Sequence, residues 1–196
     1  MFSVVFPGQG SQEVGMGKIF YERYDLVKNY FKDADETLNF PISKLILEGP
    51  KSDLDLTFNT QPAIFLISYS IFNVIKKEYN IDLNKANFFA GHSLGEYTAL
   101  SCAGYIKFSD TLKILKLRGE AMQNSVPEGI GGMIAILATT IKKVETIISS
   151  NKNCNVQIAN DNSEGQIVVS GKLKDLDILS EILKSQSIRY IKLPVS

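Results

Sequence analysis

The chain has 196 residues, of which 44% are hydrophobic and 21% charged, and its 21 basic and 21 acidic side chains give no net charge. This composition excludes a disordered chain, and the length fits one domain, or one domain with a small subdomain. The basic side chains are scattered, so the composition gives no indication of a nucleic-acid-binding surface.

The sequence also argues against export, membrane insertion and a metal site. Residues 1–6 lack the basic start and long apolar core of a signal peptide, and the most apolar stretch, residues 63–75, is too short and too polar to span a membrane. Cys102 and Cys154 lie far apart and belong to no Cys/His cluster with metal-ligand spacing. We therefore expect a cytoplasmic protein whose cysteines are buried or idle thiols in a reducing compartment.

In the first part of the chain, short apolar runs alternate with amphipathic ones, which predicts strands and helices. The predicted elements are, in order, a strand over residues 2–6, a helix over 19–38, an irregular stretch over 39–60, a helix ending at about 79, a strand over 86–90, a helix over 96–102 and a helix ending at about 124. Thr60 is predicted to cap the second helix, with Pro62 in its first turn, where a missing N–H costs nothing. Ser109 and Asp110 are predicted to cap the last helix.

The second part of the chain has a different pattern. Residues 127–132 contain a proline and three glycines and are predicted to be a linker. The predicted elements after it are strands over residues 133–137, 156–159, 166–170 and 189–193, helices over 141–149 and 173–183, and a turn over 160–165. This β-α-β-β-α-β order is that of a ferredoxin-like unit.

These elements predict an α/β fold with a large and a small subdomain. Residues 1–126 offer too few strands for a covered parallel sheet, so we interpret them as the N-terminal part of an incomplete, hydrolase-like large subdomain. Residues 133–193 then form an inserted ferredoxin-like small subdomain, and residues 194–196 begin the return to the large one. We therefore expect the chain to be truncated at its C-terminus.

The sequence GHSLG at residues 91–95 is the strongest functional signal. It lies between a predicted strand and a predicted helix, which is the context of a G-x-S-x-G nucleophile elbow. Ser93 would then stand at a helix N-terminus, where free N–H groups favour a developing oxyanion. The alternative is a plain Gly/Ser turn between a strand and a helix.

A serine nucleophile needs a base, most often a histidine. The only histidine of the chain is His92, directly before Ser93, so its side chain is expected to point away from the hydroxyl. We expect a packed or hydrogen-bonded His92 under the elbow. Either the enzyme uses another base, or the chain stops before its base.

The loop after the first strand contains Gly8, Gln9 and Gly10. It matches neither a dinucleotide fingerprint, because the next glycine is Gly15, nor a Walker A motif. The spacing fits an oxyanion-hole loop, in which the N–H of Gln9 joins the N–H of Leu94, and fits a tight turn equally well.

Several segments together resemble the malonyl-CoA:acyl carrier protein transacylases of bacterial fatty acid synthesis. Their order and spacing fit along all 196 residues. The segments are FPGQGSQ at residues 6–12, TQPA at 60–63, GHSLGE at 91–96, RGEAMQ at 118–123 and IANDN at 158–162, with Gly165 and Gln166. The acyltransferase domains of polyketide synthases share the first, third and fourth of these.

The resemblance implies a ping-pong mechanism in which Ser93 is the acylated nucleophile. It implies that the N–H groups of Gln9 and Leu94 form the oxyanion hole and that Arg118 holds the free malonyl carboxylate. A guanidinium suits that role because it is planar and always charged. Without the resemblance, an arginine on an amphipathic helix is interpreted as a solvated surface charge.

The resemblance also implies the remaining site residues and the partners. Asn160, Asn162 and Gln166 match a polar stretch that lines the cleft between the subdomains in this family, and His92 is included in the substrate-binding set. Turn chemistry is the alternative for the three amides, above all for Asn162. The implied partners are malonyl-CoA, which is a substrate and leaves no need for a cofactor, and an acidic acyl carrier protein that docks on basic side chains. We expect a monomer.

One departure from the family pattern concerns the base. The family's catalytic histidine lies a few residues beyond a segment like LPVS at residues 193–196. We therefore expect the family activity to belong to the full-length protein. This chain, without the base, is expected to retain at most the residual catalytic activity that oxyanion stabilisation supplies. The alternatives are a polyketide-type acyltransferase or other serine acyl hydrolase, and a non-catalytic truncated scaffold.

Overall fold

The computed structural model describes residues 1–126 and 129–193. The chain divides into two compact units, Met1–Asn124 and Ser125–Ser196. Two residues of the predicted linker, Pro127 and Glu128, and the predicted return at residues 194–196 lie outside the described residues.

The first unit consists of two strands and a set of helices over the residues that the structure describes. Its elements are β1 (Ser3–Phe6), α1 (Lys18–Arg23), α2 (Asp25–Leu38), α3 (Ile42–Glu48), α4 (Lys51–Leu54), α5 (Thr57–Glu78), a 3₁₀ turn (Leu83–Lys85), β2 (Phe88–Gly91), α6 (Leu94–Cys102) and α7 (Phe108–Gln123). β1 and β2 pair in parallel, with Ser3 opposite Phe88 and Phe6 opposite Gly91. Their carboxyl ends therefore meet at one edge.

The core of this unit surrounds α5, which contacts α2, α6 and α7. Phe65 and Leu66 on α5 are fully buried, as are Leu112 and Leu115 on α7. A helix enclosed in this way is apolar on most of its surface, which explains the long apolar run in the sequence. This packing fixes α7 against α5.

The helical bounds of the first unit differ from the prediction at several places. The helix predicted over residues 19–38 is two helices, because Tyr24 has an extended backbone (φ −120°, ψ 118°). The stretch predicted to be irregular contains α3, α4 and the first residues of α5. Ser109 and Asp110 do not cap α7, which begins one residue earlier, at Phe108, with Lys107 as N-cap.

The prediction for the start of α5 was also wrong. The helix begins at Thr57, so Thr60 lies inside it and Pro62 is its sixth residue. Thr60 donates its hydroxyl to the carbonyl of Leu54 (2.6 Å) instead of capping the helix. The Asn59 amide likewise donates to the carbonyl of Asp53 (2.9 Å). These buried polar side chains resemble a cap in sequence, but they are satisfied by the preceding α4 segment.

The second unit has the order β3 (Gly131–Leu137), α8 (Ile141–Ser150), β4 (Val156–Ser163), β5 (Gln166–Lys172), α9 (Leu173–Ser185) and β6 (Tyr190–Leu193). The described strands form a sheet in the order β4-β5-β3-β6, and all neighbours are antiparallel. Its core contains Ile134, Ile136, Val169 and Leu179, each fully buried. The two helices supply the apolar stripes that cover this sheet.

Two predicted loops of the second unit are largely strand. Gly131 and Gly132 of the predicted linker begin β3, where they pair with β5. β4 continues to Ser163, so the predicted turn over residues 160–165 shrinks to the tip of a hairpin at residues 164–165. Pairing with β5, with irregularities in register after Ile158 and after Asp161, outweighs the local turn preference of these polar residues.

None of the helices in the described ranges has the length and apolar character that a membrane crossing requires. Within the same ranges, no three His, Cys, Asp or Glu side chains are grouped in a way that could hold a metal ion.

Candidate active site

The candidate site begins where β1 and β2 end. The main-chain N–H of His92 donates to the carbonyl of Phe6 (3.1 Å), which extends the contact between the strands one step beyond Gly91. The loop that contains Gln9 follows β1, and Ser93 follows β2. The parallel pairing therefore brings two segments that were predicted separately to the same edge of the sheet.

Ser93 lies on a sharp turn between β2 and α6. Its backbone (φ 55°, ψ −112°) is in a region that residues other than glycine rarely adopt. The turn is closed by Gly95 N–H to the carbonyl of His92 (2.9 Å) and Glu96 N–H to the carbonyl of Ser93 (3.1 Å). This geometry presents an exposed Ser93 hydroxyl at the N-terminus of a helix, as a nucleophile elbow requires.

The two glycines of the elbow are required by close contacts. A Cβ on Gly91 would lie 1.9 Å from the carbonyl carbon of Gly95, and a Cβ on Gly95 would lie 2.6 Å from the carbonyl oxygen of Phe6. All of these neighbours are backbone atoms, which cannot move aside as a flexible side chain can. The pattern of two glycines around Ser93 is thus a packing requirement of this turn.

The two main-chain segments that were predicted to supply oxyanion donors are the start of α6 and the loop after β1. Leu94 is the first residue of α6, and the first N–H groups of a helix have no partner within the helix. The loop after β1 is folded by its own side chains, since Ser11 Oγ donates to the carbonyl of Gly8 (2.9 Å) and Gly10 N–H donates to Gln12 Oε1 (2.8 Å). Gln9 itself is exposed, and its Nε2 donates to Thr57 Oγ1 (3.4 Å).

Arg118, on α7, reaches Ser93 directly. Its Nη2 donates to Ser93 Oγ (3.1 Å), and its Nη1 donates to Gln61 Oε1 (2.7 Å). Its Cζ lies 5.7 Å from the centroid of the Tyr97 ring. The alternative of a solvated surface charge is therefore wrong, because the side chain is partly buried and held at the elbow.

Gln61 is a residue of this site for which we predicted no role from the sequence. It is fully buried on α5, and its Nε2 donates to the sulfur of Met122 (3.3 Å). Because α5 was predicted to start after Thr60, Gln61 fell in a first turn, where polar residues are common. The available signal was a polar residue that immediately precedes a long apolar helical run.

His92 is exposed, so of the two alternatives expected for it, packed or hydrogen-bonded, the packed one is wrong. Its ring lies beside Gly8, since a Cβ on that glycine would be 2.5 Å from His92 Nδ1. Its carbonyl and N–H support the turn, as described above.

The two cysteines are free and buried, as predicted. Burial raises the pKa of the Cys102 thiol to about 12. Burial, followed by the charge of Asp175, also raises the pKa of Cys154. Both thiols stay protonated near neutral pH and are poor nucleophiles.

The remaining predicted site residues lie in the second unit. Asn160 and Asn162 are on β4 and Gln166 begins β5, and all three are exposed. Asn162 Nδ2 donates to Gln166 Oε1 across the hairpin (3.1 Å). The alternative of turn chemistry is wrong for the two asparagines, because they belong to a strand. The hairpin end presents a group of amide side chains.

The chain matches a protein-family model described as "Acyl transferase domain" over residues 3–195. It is 44% identical to the malonyl CoA-acyl carrier protein transacylase of Bacillus subtilis (strain 168) over 196 residues, which cover 98% of this chain and 60% of that protein. The chain thus spans about 60% of the length of this curated relative.

The chain is also similar to solved structures of malonyltransferases. The crystal structure of an acyl-carrier-protein-S-malonyltransferase from Bartonella henselae is similar with a TM-score of 0.92 and 40% identity, over 100% of this chain and 63% of that chain. A malonyl-transacylase solved in complex with its type II PKS acyl-carrier protein gives 0.90 and 34%, over 100% and 63%. The predicted α/β fold is therefore confirmed.

Proposed function

The chain belongs to the acyl transferase domain family, and we propose that it moves a malonyl group from CoA to the phosphopantetheine thiol of acyl carrier protein through an acyl-enzyme on Ser93. The reaction needs no resident cofactor, because the CoA thioester is itself the activated substrate.

One observation carries the proposal: Arg118 Nη2 lies 3.1 Å from Ser93 Oγ. A permanent cation at this distance can bind a carboxylate at the far end of a short acyl chain attached to Ser93, and the N–H groups of Nη2 can donate to it. An acetyl group has no charge to offer there. The site therefore favours a dicarboxylic acyl group, and malonyl, which carries a free carboxylate one methylene away from its thioester carbonyl, is such a group.

Each residue has a role in the two half-reactions. Ser93 Oγ attacks the thioester carbonyl, and the N–H groups of Leu94 and Gln9 stabilise the oxyanion until the C–S bond breaks and CoA leaves. The carrier thiol then attacks the acyl-enzyme, and the Ser93 hydroxyl is regenerated. The base that takes the Ser93 proton is the histidine that the resemblance places beyond Ser196.

The exposed amides of the second unit are proposed to bind the substrate. Asn160, Asn162 and Gln166 offer hydrogen-bond donors and acceptors that suit the amide-rich pantetheine arm of CoA or of the carrier. His92 is proposed as a further substrate contact beside Gly8. The partner proposal is supported by the solved complex of a similar malonyl-transacylase with its acyl-carrier protein.

The finer description of the fold is also a proposal. The parallel pair β1–β2 with its elbow is what the edge of a hydrolase-like subdomain would contain, and the second unit has the strand order of a ferredoxin-like subdomain inserted into it. We further propose a monomeric, cytoplasmic protein.

The test is the intact mass of the chain after incubation with malonyl-CoA, beside a Ser93→Ala control and the Bacillus subtilis relative. A malonyl-sized mass increase that is absent from Ser93→Ala supports the proposed nucleophile. An equal mass increase in the chain and in its Ser93→Ala variant overturns the proposed nucleophile. Free malonate without acyl carrier protein would identify a hydrolase, and binding of malonyl-CoA with no adduct would identify a scaffold.

A further inference from the structure

Both polar ends of the Gln61 side chain are engaged within the protein. Oε1 accepts from Arg118 Nη1 (2.7 Å), and Nε2 donates to the sulfur of Met122 (3.3 Å). An arginine can only donate and a thioether can only accept, so the amide fits in one orientation. Because Gln61 is fully buried on the central helix α5, its oxygen is held at a fixed point.

The two terminal nitrogens of Arg118 have partners of different kinds. Nη1 bonds to the buried Gln61 oxygen, whereas Nη2 bonds to the exposed Ser93 hydroxyl. The Tyr97 ring flanks the guanidinium at 5.7 Å. One arm is thus anchored inside the protein, and the other faces the group that reacts.

We infer that Gln61 is a positioning residue that sets the specificity of the site. Its neutral amide anchors one arm of Arg118, so that the other arm exchanges the Ser93 hydroxyl for the carboxylate of the acyl group. This inference rests on the proposed function, because it assumes that the acyl group on Ser93 has a carboxylate.

The neutrality of the amide is essential to this role. A glutamate at the same point would accept the same hydrogen bond, but its charge would pair with the guanidinium and compete with the substrate carboxylate. An apolar side chain would leave the charge free but would no longer direct it. Glutamine is the side chain of this length that directs the guanidinium without neutralising it.

Two variants of Gln61 separate the effect of the hydrogen bond that directs Arg118 from the effect of a charge at position 61. Gln61→Met is unbranched and close in volume, and it removes the hydrogen bond to Nη1. Gln61→Glu keeps the acceptor and adds a charge. Ser70→Ala, a buried position on the same helix, controls for changes in the packing of α5. Thermal unfolding followed by circular dichroism shows which variants are folded.

The first readout needs no substrate. In the ligand-free protein, NMR signals of the Arg118 Nη groups are expected to be separate, because both arms are held. Gln61→Met is expected to average them by faster rotation of the guanidinium, while Gln61→Glu and Ser70→Ala keep them separate. Unchanged signals in Gln61→Met would overturn the anchoring role.

The second readout is the ratio of the dissociation constants for acetyl-CoA and malonyl-CoA, measured in the Ser93→Ala background to prevent turnover. Both Gln61 variants are expected to lower this ratio about tenfold, the effect of one hydrogen bond to a charged group. Full malonyl preference in Gln61→Glu would overturn the argument from neutrality. If the protein with Gln61 intact binds both thioesters equally, the proposed function fails, and the NMR signals still decide whether Gln61 positions Arg118.

Discussion

The two terminal nitrogens of Arg118 donate to two different kinds of acceptor, the amide oxygen of Gln61 and the hydroxyl of Ser93. The Gln61 oxygen is buried, whereas the Ser93 hydroxyl is exposed and is the group that we propose an acyl substrate modifies. We propose that the carboxylate of the acyl group replaces the Ser93 hydroxyl as the partner of Nη2. A single arginine can serve both states because only one of its arms changes partner.

The carboxylate role of Arg118 predicts the effect of two substitutions. Arg118→Ala is expected to reduce the preference for malonyl-CoA over acetyl-CoA by about tenfold to a hundredfold, the range for a lost hydrogen bond to a charged group. Arg118→Lys keeps the charge but loses the fork, so we expect an intermediate preference. The dissociation constants of both thioesters are measured in the Ser93→Ala background. An unchanged ratio in Arg118→Ala would count against the clamp.

The raised pKa of Cys102 predicts its reactivity. Because only the thiolate reacts, we expect iodoacetamide to leave Cys102 unmodified in the folded protein at pH 9, although the ordinary pKa of a thiol is 9.0. In urea at the same pH, alkylation is expected to be complete. The folded state retains this proton until about pH 12, so the contribution of Cys102 to stability is full below pH 9 and is lost as the pH rises towards 12. Rapid alkylation of Cys102 in the native protein would contradict this reasoning.

The close contacts of Gly91 predict that even a methyl side chain at this position strongly lowers the stability of the protein. Gly91→Ala places a Cβ against the backbone of Gly95 and is expected to lower the free energy of unfolding by about 3 kcal/mol, at the upper end of the cost of overpacking. Gly104→Ala is the control. Gly104 has a φ of +88° but no atom within 4 Å of an added Cβ, so we expect a cost of about 1 kcal/mol from the backbone alone. Urea unfolding measures both, and equal costs would show that the elbow relaxes easily.

At the scale of elements, the contact between α5 and α7 determines where Arg118 lies. Lys116 on α7 places its Nζ 4.3 Å from the centroid of the Phe58 ring and 3.2 Å from Asn59 Oδ1, both in the first turn of α5. Glu120, one turn further along α7, lies 4.0 Å from the same Nζ. The partly buried Lys116 thus joins α5 and α7 close to the Gln61–Arg118 hydrogen bond.

Lys116 predicts how stability changes with pH. Burial lowers the pKa of its ammonium below the usual 10.5, and Glu120 opposes this shift. At pH values between the lowered pKa and 10.5, the unfolded chain therefore binds more protons than the folded one. Lys116 is then expected to increase the free energy of unfolding as the pH rises through that window. Lys116→Met is expected to lack this gain. Urea unfolding of both proteins near neutral pH and near pH 10.5 measures it, and parallel pH profiles would contradict the assignment.

The elements that the sequence predicted well are those with a local cause. The elbow was recognised because its two glycines and Ser93 lie within five residues of each other, and the steric reason for both glycines acts over the same short span. The start of α5 was missed because Asn59 and Thr60 are satisfied by carbonyls six residues away, which no local pattern reveals. The partner of Arg118 was missed for the same reason, since Gln61 lies 57 residues away.

At the scale of the whole molecule, each unit has a hydrophobic core of its own. The cluster around α5 contains residues of the first unit only, and the cluster of the four-stranded sheet contains residues of the second only. The proposed nucleophile Ser93, the proposed oxyanion donors and Arg118 all belong to the first unit. The exposed amides of the hairpin belong to the second.

Separate cores predict separate responses to cavity mutations. Leu179→Ala removes a fully buried side chain of the second core and is expected to destabilise that unit by about 2–5 kcal/mol. Hydrogen exchange measured by mass spectrometry is then expected to speed up in peptides of β3, β5 and α9, while peptides of α5 and α7 keep their protection. Leu112→Ala, in the core of the first unit, is the matched control and is expected to give the opposite pattern. Equal loss of protection in both units from either substitution would show that they unfold as one.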